Sequence, residues 1–152
     1  MLHYKPTTLL RNEPTLKEEL FVDTDGSVAL YYDFDKGCFE ITFSGVISDK
    51  SFKKVHRTLF QELNEKPGRK ILFDFMYVTK TDILSRAWYS SVFIMSLFRQ
   101  HGSKFNMAIV KPQNLFESKN IEIMFRSNLT AGQKGELRFF NEIFDCTKWL
   151  TF

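Results

Sequence analysis

Apolar and polar positions alternate clearly from residue 28 onward. Val28, Leu30, Tyr32 and Phe34 alternate with Ala29, Tyr31 and Asp33, and Phe39, Ile41 and Phe43 alternate with Glu40, Thr42 and Ser44. A period of two is the signature of a strand. Between the two runs, Asp35-Lys36-Gly37 places a glycine where a hairpin wants the left-handed conformation. The period then changes. Phe52, Val55, His56, Leu59 and Leu63 share one face of a helix that Ser48 or Asp49 caps and that runs to about Glu65. Pro67-Gly68 ends it. Lys70–Phe75 reads as an apolar strand followed by a polar loop, and Thr81 or Asp82 caps a longer helix ending at Gly102. Phe105–Val110 is a buried strand. Pro112 and Asn114 open one or two helices reaching about Leu129, and Gly132 and Gly135 bracket a turn. Glu136–Phe140 is a strand, and Asn141 caps a last helix over Glu142–Leu150. Residues 1–26, with Pro6 and Pro14, are predicted to be an irregular arm holding a short helix at Thr15–Leu20.

The predicted order is β-β-α-β-α-β-α-β-α. An antiparallel hairpin followed by alternating strands and helices implies an α/β fold with a mostly parallel central sheet. One α/β domain over 27–152, preceded by the arm, accounts for the whole chain.

Composition narrows the function classes. With 152 residues, 43% hydrophobic and 26% charged, the chain is long enough for its own core. The longest strongly apolar run, Val92–Phe98, is broken by Ser96, far short of the roughly 20 residues of a membrane span. The start MLHYKPTTLLRNEP lacks the pattern of a secretory signal. Cys38 and Cys146 are too few for a disulfide framework and read as buried thiols in a reducing cytoplasm. Residues 1–35 hold three Lys or Arg against seven Asp or Glu, while the remainder nets +7, so the acidic arm is expected to lie over a mildly basic body.

No HExxH, CxxC, P-loop or GxGxxG occurs, so neither a metal nor a nucleotide cofactor is expected. Asp74 and Asp82 are the one candidate carboxylate pair, with a simpler reading as a strand-end acceptor and a helix cap. His56 falls on an apolar helix face, and His101 at a helix end where a cation is favoured. Lys50, Lys53, Lys54 and Arg57 form a basic stripe that reads as a solvated face. Without interleaved exposed aromatics it does not call for nucleic acid. The helix at 82–101 is apolar on two sides. Leu84, Ala87, Trp88, Met95 and Phe98 read as its core face, and Tyr89, Phe93 and Leu97 as a second stripe to be covered by the arm, by another protein or by a second copy.

The segments FEITFSGVISDKSFKKV, ILFDFMYVTKTDILSRAW, MAIVKPQNLF and ELRFFNEIFDCTKWL, in that order, resemble the STAS domain of bacterial anti-sigma-factor antagonists and the related SEC14-like proteins. The resemblance covers about residues 27–150 and implies a SpoIIAA-like fold. Regulatory members carry an acidic residue at the end of a central strand and, eight positions on, an Asp-Ser-x-Gly whose serine is phosphorylated. Asp74 and Asp82 match the acidic positions, but Ile83 replaces the serine and Ser85 the glycine. Isoleucine has no hydroxyl to phosphorylate, which leaves Thr79, Thr81 and Ser85 as the nearby hydroxyls. The expectation is a non-catalytic regulatory or protein-interaction module of the bacterial cytoplasm, not an enzyme and not inserted in a membrane. The alternative, implied by SEC14-like members and suited by 17 phenylalanines, is a carrier or sensor of a lipid or other small apolar ligand.

Overall fold

The computed structural model describes residues 4–6, 16–127 and 134–151. Among these, seven strands form one sheet in chain order: β1 (Tyr4–Pro6), β2 (Leu16–Val22), β3 (Val28–Asp33), β4 (Cys38–Ile47), β5 (Lys70–Thr81), β6 (Asn106–Val110) and β7 (Leu137–Phe140). β1 to β4 pair antiparallel, and β4 to β7 pair parallel. From residue 28 on, strands and helices follow in the predicted order.

The N-terminal segment departs from its prediction. The helix expected at Thr15–Leu20 is instead strand β2, paired with β3; Thr15 and Pro14 lie outside the described residues. Its charges are drawn into the sheet rather than laid over the body. Glu18 is buried and meets Lys66 at 3.1 Å, and Lys17 meets Glu40 at 2.8 Å.

The β3–β4 hairpin turns at Gly37, whose φ of 61° is the left-handed geometry expected of it. Helix α1 (Asp49–Glu62) starts where the Ser48 hydroxyl accepts from the Ser51 amide, and buries Phe52, Val55, His56 and Leu59 as predicted. It ends at Glu62 with Leu63 as its cap, ahead of Pro67, and the turn beyond holds Gly68 at φ 102° with no room for a Cβ beside the Gly37 carbonyl.

β5 runs twelve residues, not six. The expected polar loop 76–81 continues the strand, pairing with β4 from Tyr77↔Ser44 to Thr81↔Ile47. Two bulges on β5 each add a residue against β4. Buried positions therefore fall at Phe75, Val78 and Thr81, three apart, which breaks the alternation that marks a strand. β6 ends opposite Asp74, so beyond it β4 and β5 project as a two-stranded ribbon.

The helix after β5 is continuous but not uniform: α2 (Ile83–Trp88), a π-turn over Tyr89–Phe93, then α3 (Ile94–His101). The Ile94 amide donates to the Tyr89 carbonyl five residues back. α4 (Leu115–Arg126) follows β6, and α5 (Ile143–Leu150) follows β7. α4 ends at Arg126, and Leu129 and Gly132 lie outside the described residues. Asn141 does not cap α5; Glu142 holds that position without a side-chain bond.

Two apolar clusters flank the sheet. The larger gathers β3 to β6 with α1, the α2–α3 helix and α4; the smaller sets Cys38, Leu72, Ala108 and Val110 against Cys146 and Leu150 of α5. The phenylalanines mostly fill the larger one ring to ring. Phe43 stacks on Phe75 at 4.4 Å, and Phe125 meets Phe73 at 4.9 Å and Tyr89 at 5.1 Å, contacts worth about 0.5–1.5 kcal/mol each beyond simple burial.

Candidate functional site

Four helices start where a parallel strand has just ended, so the N-termini of α1, α2, α4 and α5 gather at the carboxyl edge of β4 to β7. Open α/β sheets place ligands at this edge. Here it holds a cleft of about 500 Å³ lined by Thr79 to Ile83, Arg86, Asn114, Phe116, Glu117 and Asn120.

The floor is built by β5 running into α2 and by the first turn of α4. Asp82 caps α2, accepting from the Leu84 amide at 2.8 Å. Asn114 caps α4 by accepting from the Glu117 amide at 3.0 Å. Glu117 then reaches across to β5. Its Oε1 accepts from the Thr81 amide at 2.8 Å and the Thr81 hydroxyl at 2.6 Å, and its Oε2 accepts from Asn120 Nδ2 at 3.1 Å. Arg86 Nη1 donates to the Thr81 carbonyl at 3.0 Å and its hydroxyl at 2.7 Å. Glu117 is 3% exposed, and three donors satisfy its buried carboxylate. This network ties α2 and α4 to the end of the ribbon; its polar atoms are aimed at one another rather than at open space.

The walls differ. Ile83 is 70% exposed, Leu84 64%, Leu115 87% and Phe116 73%. Ile83 and Phe116 both line the cleft. Four large apolar side chains thus stand in water at the starts of two adjacent helices. Val46 and Tyr77 are also exposed, on the projecting ribbon.

The structure does not bring together all the residues singled out from the sequence. Thr79, Thr81 and Asp82 lie in the cleft together with Ile83. Ser85 is fully buried and donates to Asp49 Oδ1 at 2.8 Å, and Thr81 is buried in the Glu117 network, so of the three hydroxyls only Thr79 is exposed. Asp74 is elsewhere. Eight residues of strand, about 25 Å at the usual rise, separate it from Asp82, and its carboxylate accepts from the Met76 amide at 3.0 Å. Burial raises its pKa, with the Met76 bond opposing. The two aspartates form no carboxylate pair.

Tyr89, Phe93 and Leu97 require the largest correction. They are 0%, 4% and 0% exposed and belong to the main core, whereas Leu84 and Met95, expected inside, are 64% and 44% exposed. The Tyr89–Phe93–Leu97 stripe faces the interior and so offers no docking or self-association surface, while Trp88 and Phe98 of the expected core face are half-buried against the same core. A helix apolar on two sides leaves the choice of core face open in the sequence, and the sheet takes the side of Ser85, Tyr89, Phe93 and Leu97, already from the first turn of α2.

The sequence reading missed Arg86, Asn114, Phe116, Glu117 and Asn120 as cleft residues. One signal was present: Asn114-x-x-Glu117 has capping-box spacing, although this glutamate bonds β5 rather than its own helix start.

Other candidates have structural roles. Among the described residues, no group of three or more His, Cys, Asp or Glu could hold a metal ion, and no helix is long and apolar enough to cross a membrane. Burial pushes the thiols of Cys38 and Cys146 up to about 12, which leaves both unreactive near neutrality. The basic stripe of α1 is partly engaged, with Lys53 and Arg57 over the Trp88 ring and Lys54 over Phe21. The His101 ring meets the Phe60 carbonyl at 3.1 Å, and burial lowers its pKa.

No family model and no curated protein matches the chain. Among solved structures, it is similar to an uncharacterized protein of the DUF3478 family with a SpoIIAA-like fold from Shewanella loihica PV-4, at 17% identity, over 93% of this chain and 98% of that one, with a TM-score of 0.48.

Proposed function

We propose that the chain is a non-catalytic interaction module that docks a partner protein on the carboxyl edge of β4 and β5. The observation that carries this reading is the exposure of Ile83 and Phe116 in the cleft, with Leu84 and Leu115, their chain neighbours, exposed as well. Protein interfaces set an apolar centre within a polar surround, and an exposed apolar group on this scale marks an interaction site. The polar residues between them favour a protein over hydrocarbon. Thr79 and Lys80 stand exposed in the cleft and supply a hydroxyl and a cation, directional groups suited to peptide groups. The network beneath keeps the edge rigid, so little ordering is lost on docking. We place the module in the bacterial cytoplasm, a reading that free buried thiols suit.

A photo-crosslinking residue at position 115 in living cells tests the reading. It should capture a defined protein that the same probe at position 34, on the β3–β4 turn, does not. Adding Phe116→Asp should weaken that partner's binding by about 30-fold, the loss typical of a central interface residue. Stability should stay within about 0.5 kcal/mol, because the side chain is exposed. Identical captures from both positions, or binding indifferent to Phe116→Asp, would refute edge docking.

A further inference from the structure

A second concavity lies away from the edge, between α1 and the α2–α3 helix. It has a volume of about 320 Å³ and is lined by Phe60, Trp88, Val92 and Phe93 with Arg57 and Gln61. We propose that this groove binds a small apolar anion, such as an alkyl or aryl carboxylate. Its rings and Val92 suit a hydrocarbon body, and its volume is at the lower end for small-molecule sites. Arg57 is the only charged residue lining it among the described residues, so the charge complementary to the groove is negative. The guanidinium lies 5.6 Å from the centre of the Trp88 ring, and Lys53 lies 5.9 Å from it on the same helix. An anion in the groove therefore meets the Arg57 guanidinium, whereas Lys53 lies outside the lining and is paired with Asp49 at 2.9 Å.

Two features of the groove wall suit an adaptable site. The π-turn spans Tyr89–Phe93 and so carries Val92 and Phe93, and such turns frequently sit at functional positions. Trp88 and Phe93 also pack on the fully buried His56, at 6.1 and 5.0 Å. Its Nδ1 meets the Phe52 carbonyl at 2.7 Å, while its Nε2 has no partner among the described residues. The imidazole thus holds these wall rings by contact alone and hydrogen-bonds to neither of them.

The inference is independent of edge docking. Its test uses octanoate, with 1-octanol as the uncharged probe of matching chain length, on the full chain followed by NMR of the indole N–H groups. Octanoate should move the Trp88 resonance saturably and leave Trp149 unmoved, and octanol should bind about fivefold more weakly, as expected of a partly exposed charge pair. Arg57→Gln, at an exposed position, should abolish that preference. Val92→Glu, which brings a carboxylate to a half-exposed groove position, should abolish octanoate binding, whereas Phe116→Asp at the edge should leave it intact. Equal affinities for the two probes, a preference that survives Arg57→Gln, or no saturable shift at Trp88 up to millimolar octanoate would overturn the proposal.

Discussion

Between about pH 6.5 and 4, the wild-type chain should lose about 3 kcal/mol of unfolding free energy through one side chain, His56. The imidazole is fully buried. It is surrounded by neutral rings: Phe43 and Phe73 stack on it, and Phe52, Trp88, Tyr89 and Phe93 also pack against it. Burial drives its pKa down from 6.5 to about 4, with the bond to the Phe52 carbonyl opposing. The unfolded chain takes up a proton near pH 6.5, whereas the folded chain refuses it until about pH 4. Within that window the unfolded state binds more protons, so stability falls as the pH falls. Above the window the contribution is complete, and below it no more is lost. Urea unfolding between about pH 6.5 and 5 should show this slope in the wild type and lack it in His56→Leu. The difference between the two chains removes the carboxylates, including Asp74 with its raised pKa. A constant difference across the window would show that the histidine is not buried as a neutral ring.

Gly135→Ala should cost about 3 kcal/mol or more, at the upper end for overpacking. A Cβ at this position would lie 1.8 Å from the Phe105 carbonyl oxygen and 2.7 Å from its nitrogen. Both are backbone atoms, so no rotamer relieves the clash. Separating the two chains would pull on the start of the β6–β7 pairing, where the Met107 amide donates to the Glu136 carbonyl at 2.8 Å. Gly26→Ala is the control. Its φ is 74°, but nothing lies within 4 Å of the added carbon, so only the backbone term of about 1 kcal/mol applies. Urea midpoints of the two variants measure the contrast, and equal losses would mean that the approach of Gly135 to Phe105 is not tight.

The sequence pattern was legible where the period stayed regular. The β3–β4 hairpin and α1 keep repeats of two and of three to four, and their apolar core positions were read correctly except Phe34, which is exposed, while Ala29, Asp33 and Glu40 on the alternate side are buried as well. β2 was hidden because Leu-Lys-Glu-Glu-Leu-Phe-Val carries its charge into the sheet, with Glu18 buried against Lys66. The second half of β5 was hidden by its two bulges, and the true core face of the α2–α3 helix by apolar residues on both of its sides. Each bulge changed the phase while leaving the composition untouched. The same limit governs the cleft. Its near half, Thr81 and Asp82, follows from capping chemistry within a few residues. Its far half needs the contact of Thr81 with Glu117, 36 positions away, which no local pattern encodes. The exposed apolar edge escaped notice because Ile83, Leu84, Leu115 and Phe116 look like ordinary core residues until the helices are oriented.

The wide turn at Tyr89–Phe93 makes this helix sensitive to a change of a single codon. Loss of the codon for Ser91, an exposed residue, would shorten the turn to ordinary α geometry and swing residues 94–101 by about 100°. Ile94 and Leu97 would then rotate out of the interior they now fill completely, and the gene would be expected to tolerate substitution at this surface position far better than deletion.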